Sequence, residues 1–187
     1  MKSILLAGAV TALLSTSLTA STGGISIGAG SKTFNYDQGG EVDTSNVGVT
    51  AYYIFPSQSP LKVLVGGGLN RTSISSEGST SQILDLQASS ILKYDRSDIS
   101  PYAKMDVILS SSGEVGDDDF GDVDLENDGY ELAIGADLKI TPAVSISLET
   151  AMLASKQLKA DTDLFEVSAD YKYGPFEAFQ AGLNVTF

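Results

Sequence analysis

The chain contains no cysteine, no histidine and no tryptophan, and only five prolines in 187 residues. Lack of cysteine excludes disulfides, thiolate metal sites and a lipid-modified N-terminal cysteine. Lack of histidine removes the usual proton shuttle at neutral pH and the commonest metal ligand, so a Ser-His or Asp-His hydrolase would have no base. Basic residues are scarce: eleven Lys and Arg stand against 24 Asp and Glu, a formal charge of −13. Such a chain repels phosphate backbones, which argues against a nucleic-acid partner. After Ala20 no stretch of 18 residues is continuously apolar, so a membrane-crossing helix is excluded. Strands remain open, because a crossing strand needs only about 9 to 11 residues and shows half the hydropathy.

What is present begins with a leader. Residues 1–20, MKSILLAGAVTALLSTSLTA, have a cationic Lys2, an apolar run from Ile4 to Leu14 and a Leu18-Thr19-Ala20 cleavage end. The apolar run is too short to span a bilayer, so it reads as a signal peptide. The remaining residues, 21–187, suit one domain. Removing Lys2 with the leader takes the charge from −13 to −14.

From Gly24 onward the period is two, the strand period, in nine segments. They run over 24–36, 45–56, 61–72, 81–94, 99–110, 130–141, 144–154, 164–173 and 177–187. Segment six is typical: Leu132, Ile134, Ala136, Leu138 and Ile140 share one face, and Glu131, Asp137 and Lys139 the other. A helical period would mix charged with apolar residues on every face. Connections alternate between short ones (57–60, 95–98, 142–143, 174–176) and longer polar ones (37–44, 73–80, 111–129, 155–163). That alternation fits an all-β, closed antiparallel up-and-down transmembrane barrel. Such barrels have even strand numbers, and nine segments do not close. Either one segment is not a full crossing, giving eight strands, or a strand is hidden near 120–125, giving ten. Eight is the favoured count.

Alternation does not say which face is inside. Three features favour apolar-out. Opposite charges crowd one face at narrow spacing, as in Lys104/Asp106, Asp137/Lys139 and Asp170/Lys172. With Glu149 and Glu166, these are the expected barrel-interior charges, which would have to pair because single buried charges are costly. Aromatics gather at segment ends: Phe55, Tyr94, Tyr102, Tyr171 and Tyr173 beside short turns, and Phe34, Tyr36, Tyr130 and Phe165 beside long ones. They would form the two interfacial girdles. Finally, the chain stops on FQAGLNVTF, with Phe179, Ala181, Leu183, Val185 and Phe187 alternating to a terminal aromatic.

This last segment resembles the C-terminal recognition strand of outer-membrane barrels, although the third position from the end is Val where an aromatic is commoner. With the leader and the loop pattern, the chain resembles the small OmpA-barrel and OmpX-type class. The resemblance implies location in the cell outer membrane, lipid and lipopolysaccharide as surroundings, and insertion by the barrel-assembly machinery. Phe179, Leu183, Val185 and Phe187 would serve as the assembly signal. A monomer is expected.

The stretch 111–128 holds eight acidic residues. Asp124, Glu126 and Asp128 followed by Gly129 resemble the start of a calcium loop, but the twelfth position is Gly135 rather than Glu, which excludes an EF-hand. Asp122, Asp124, Glu126 and Asp128 remain candidates for loosely held Ca²⁺ or Mg²⁺, and no other cofactor is expected. The glycine runs at 28–30 and 66–68 lack the spacing of a nucleotide loop and suit close packing in a curved wall. The function expected from the sequence is non-enzymatic, structural or envelope-interacting. The alternatives are a narrow pore for small solutes or hydrophobic compounds, and surface recognition through the acidic loop.

Overall fold

The computed structural model describes residues 22–36, 40–76, 79–96, 98–117, 121–161 and 166–187. The leader expected over 1–20 lies outside them. Alternation becomes strand along nearly all of the described chain: β1 Gly23–Tyr36, β2 Gly40–Ile54, β3 Leu61–Ser76, β4 Ser79–Tyr94, β5 Ile99–Asp117, β6 Gly121–Lys139, β7 Val144–Asp161, β8 Glu166–Tyr173 and β9 Ala178–Thr186. Each strand pairs antiparallel with its neighbours, and β1 pairs with β9 as well as β2, so the sheet closes on itself.

The odd segment count resolves in the last two strands. β7 ladders with β9 over 144–150 and with β8 over 154–161. β1 meets β9 over 24–32 and β8 at Asn35 and Tyr36. β8 and β9 are therefore two halves of one crossing, and the architecture is a closed antiparallel barrel of eight transmembrane strands. Residues 174–176, expected as a turn between strands, are instead an outward bulge within that crossing. Pro175 has no N–H for a ladder bond, and Phe176 sits at a left-handed φ of 69°. The chain keeps its direction because Phe176 N donates to Ala151 O (3.3 Å) and Thr33 N to Glu177 O (3.0 Å). Residues 121–125 belong to β6, so they supply no further crossing.

A second correction concerns the polar connections. Most of 37–44, 73–80, 111–129 and 155–163 is strand, paired by backbone bonds well beyond the apolar band. Serine, threonine and aspartate in these stretches mark an outer face in water. They do not mark loops.

On the outer face large apolar side chains are exposed on every crossing, Leu148 at 65% and Leu109 at 61% among them. The band runs over residues 47–55 along β2 and just past its end, 99–109 on β5, and 130–140 along β6 and just past its end. Nine to eleven tilted residues span about 25 Å, the height of a bilayer's hydrocarbon layer. Tyr53, Phe55 and Tyr94 lie on this face toward the short-turn end, and Tyr130, Phe176 and Phe179 toward the other. Above the band the polarity inverts: Asp124, Glu126 and Asp128 are exposed, whereas Ile83 and Leu125 are buried inside. Inversion follows from solvent, since lipid lies outside one part of the wall and water outside the other.

At the short-turn end, Lys139 Nζ donates to Asp95 Oδ1 (2.6 Å) and to the Arg96 carbonyl (2.6 Å). Partial burial works to raise the Asp95 pKa, but the hydrogen bond and charge of Lys139, aided by the Ser100 hydroxyl, more than reverse it and hold it below its ordinary 3.8. A lowered carboxyl pKa stabilises the folded state above the unfolded value, and the benefit is lost as pH falls through the folded one. The expected result is an Asp95 carboxyl titration by NMR with a midpoint below 3.8. In Lys139→Met the midpoint should move upward.

Candidate functional site

The inward positions of the membrane portion are small or polar, because strand alternation that gives lipid the large apolar residues leaves the lumen the rest. They surround a cavity of about 190 Å³ lined by Lys32, Lys62, Lys93, Lys104 and Lys139 and by Asp95, Asp106, Glu131, Asp137 and Glu149. Five positive charges face five negative ones in a chain whose total is −13. The lumen is thus neutral, and the acidic excess lies elsewhere.

The charges are arranged in tiers. Toward the short turns, Lys93 pairs with Asp137 (2.5 Å), whose other oxygen accepts from Asn184 Nδ2 (3.0 Å). In the middle, Lys104 reaches both Asp106 (2.9 Å) and Glu149 (3.0 Å). Tyr102 OH donates to Glu149 (3.0 Å) and Ser89 Oγ to Asp106 (2.6 Å). Higher, Lys32 and Lys156 converge on Glu131 Oε2 at 2.7 and 3.1 Å, all three nearly without exposure. Above this layer Asp85 accepts from Ser111 Oγ (2.7 Å) and from Asn127 Nδ2 (3.5 Å). Lys104 and Asp106 lie on one strand, but the Lys93–Asp137, Lys104–Glu149, Lys32–Glu131 and Lys156–Glu131 pairs join different strands and so are met only in the native register.

A separate group is uncharged. Asn46 Nδ2 donates to Asn70 Oδ1 (3.3 Å) and Gln180 Oε1 (3.4 Å), and Asn70 Nδ2 to Thr72 Oγ1 (3.4 Å). Glycines make room for these groups. A Cβ on Gly28 would stand 2.2 Å from Gln180 Nε2, and one on Gly135 would stand 2.5 Å from the Tyr102 ring and 2.7 Å from the Leu148 carbonyl. Gly135→Ala is therefore expected to push Tyr102 off Glu149 and to cost about 1 to 3 kcal/mol by overpacking. Urea unfolding of the refolded barrel measures it, and an unchanged midpoint would show that the ring and wall can give way freely.

Of the charges expected inside, Lys104, Asp106, Asp137, Lys139 and Glu149 line the cavity. Asp170 and Lys172 do not. Their ladder partners are Gln157 and Ser155, and both residues are exposed; Gln157 Nε2 donates to Asp170 (2.9 Å) on the outer face. The reason is an extra residue at Met152 in β7, where the β6 pairing jumps from Leu132↔Leu153 to Ala133↔Ala151. Beyond it the inward positions change from odd to even on β7, and the register pairs Asp170 and Lys172 with the odd, outward positions Gln157 and Ser155, so both face water. Glu166 pairs with Asp161, and its side chain lies outside the described residues. The same shift puts Lys156 inside, although its polar stretch reads as a loop in the sequence. Lys32, Asp85, Lys93, Asn46 and Gln180 were also not singled out in the sequence. Their signal was parity with the small residues of their own strands, as for Lys32 with Gly28 and Gly30. Tyr102, expected in a girdle, faces the lumen.

Asp124, Glu126 and Asp128 stand on alternate, outward positions of β6, spread about 7 Å apart along the strand. The Asp122 side chain lies outside the described residues, and among those described no group of three or more ligating residues is placed to hold a metal ion. Phe179, Leu183 and Val185 point outward from β9, and Phe187 exchanges backbone hydrogen bonds with Gly23 (2.9 and 3.0 Å), joining the chain's last residue to the start of β1.

The fold is shared with solved outer-membrane proteins. Neisserial surface protein A aligns with a TM-score of 0.60 at 14% identity, over 88% of this chain and 97% of that one. The outer membrane enzyme PagL aligns at 0.48 and 13% identity, over 87% and 99%. A deletion mutant of TodX, a monoaromatic hydrocarbon channel, aligns at 0.38 and 13% identity, over 94% and 61%. At these identities the likeness concerns fold alone. No curated protein matches the chain. The family model of the outer membrane protein beta-barrel domain matches residues 3–187. With its lipid-facing band, closed sheet and polar lumen, the chain therefore belongs to the outer membrane protein β-barrel domain family and resides in the bacterial outer membrane.

Proposed function

We propose that the barrel is a narrow passage for small polar solutes that rests closed, without enzymatic activity. The observation that carries this reading is the polar cavity of about 190 Å³ beneath the layer where Lys32 and Lys156 share Glu131. An eight-stranded wall encloses a space that side chains can fill, and here they fill it with contacts that can be exchanged. Moving one carboxylate off two ammonium groups opens the layer, and the buried Ile83 and Leu125 stand beyond it. The lumen offers little for hydrolysis: there is no imidazole in the chain, and Asp106, Asp137 and Glu149 are already engaged by lysines.

A second reading, a rigid envelope scaffold, draws on the paired strands that continue beyond the band around a packed interior that includes Ile83, Leu125, Asp85 and Asn127. Planar-bilayer recording of the refolded chain separates the two. Brief, discrete openings are expected for a gated passage. A folded barrel that stays silent, together with a silent Glu131→Gln variant, would favour the scaffold.

A further inference from the structure

The neutral side chains of the lumen carry an assignment of their own. Asn46 is 2% exposed, lines the cavity, and its Oδ1 has no hydrogen-bond partner among the described residues. An orphaned buried acceptor costs about 1 to 3 kcal/mol unless something donates to it. Turning the carboxamide over gives no relief, because Oδ1 would then face the acceptors Asn70 Oδ1 and Gln180 Oε1 and Nδ2 would lose both.

The surroundings define what could fill that role. Gly30 brings only backbone near the atom: a Cβ there would lie 3.1 Å from Asn46 Oδ1. Gln180 Nε2 lies over Gly28 and Asn46 Oδ1 beside Gly30, so a donor and an acceptor stand two residues apart along the β1 wall. A hydroxyl can donate to one and accept from the other, whereas a carboxylate can only accept and an ammonium only donate. Charge points the same way. The five lysines and five carboxylates of the cavity balance, so the cavity has no net charge of its own to favour an anion or a cation.

We infer that Asn46, Gln180 and Asn70 form a binding subsite for a small neutral solute with adjacent hydroxyls, a polyol. The inference rests on the passage reading for how such a solute arrives, and deepens it by naming the solute class. Water would satisfy Asn46 Oδ1 without selectivity; a polyol does so through two groups at once.

The test is an NMR titration of the refolded full chain in micelles, following the side-chain carboxamide signals. Glycerol and erythritol are the probes, with sodium acetate and ethylammonium chloride as charged comparators. Saturable shifts of Asn46, Asn70 and Gln180 with the polyols, and none with the comparators, are expected. Asn46→Leu should weaken polyol binding about fivefold, the weight of one hydrogen bond. Gln180→Met should do the same, and serves if the first variant does not fold. Linear shifts, or equal shifts with all four probes, would overturn the assignment, water then being the partner of Asn46. Saturable binding in an electrically silent barrel would sink the passage reading and leave the subsite standing, whereas conductance without saturable binding would do the reverse.

Discussion

Glu131→Gln is expected to lower the stability of the folded barrel by about 3 to 5 kcal/mol, the usual cost of breaking a buried ion pair from one side. The carboxylate is the point on which Lys32 and Lys156 converge, at 2.7 and 3.1 Å, in a layer almost without solvent. Replacing it by an amide keeps the shape and takes away the charge that makes two ammonium groups tolerable at one place. Urea unfolding in lipid vesicles, read by heat-modifiable gel migration, measures the loss. Adding Lys156→Met to the variant should recover part of it, because one cation fewer then faces the amide. A loss near zero would show the layer to be wet and the pairs to be worth no more than surface ones. In bilayers the same variant should conduct for longer than the parent, since the closing contact has been weakened.

Leu148→Arg is expected to cost about 2 to 4 kcal/mol although the side chain is 65% exposed. On a protein surrounded by water such a change is close to neutral. Here Leu148 stands between Ala136 on β6 and Ala181 on β9, well inside the apolar band, and its surroundings are hydrocarbon. Glu126→Arg on the same outer wall above the band should cost little, because that position meets water. Refolding yield and urea midpoints of the two variants, compared side by side, test the placement of the band. Equal, small effects would place both positions in water.

Much of this is legible in the sequence. Val47, Val49, Tyr53 and Phe55 alternate cleanly and all face out. Lys104 with Asp106, and Asp137 with Lys139, share the inward face that their parity assigned them. Where legibility failed, the cause was local and identifiable. One extra residue at Met152 reverses the parity of everything after it on β7, so Lys156 goes in and Asp170 and Lys172 stay out. Pro175 and Phe176 look like a turn by composition, yet the chain resumes its course after them, which turns nine segments into eight crossings. Polar stretches beyond the band read as loops because sequence hydropathy cannot tell a strand in water from a connection.

The sequence by itself determined the class of the molecule: strands by period, apolar side chains on one face, and a mixed-charge face opposite. These properties lie within single strands, where the pleat sends neighbouring residues to opposite sides and no long-range information is needed. Only the tertiary structure decided which charges meet. Lys32 and Glu131 are 99 residues apart, and Asn46 and Gln180 are 134 apart. Their meeting depends on closure of the barrel, on the register of each ladder and on the position of every bulge, because a shift of one residue exchanges the lumen for the lipid.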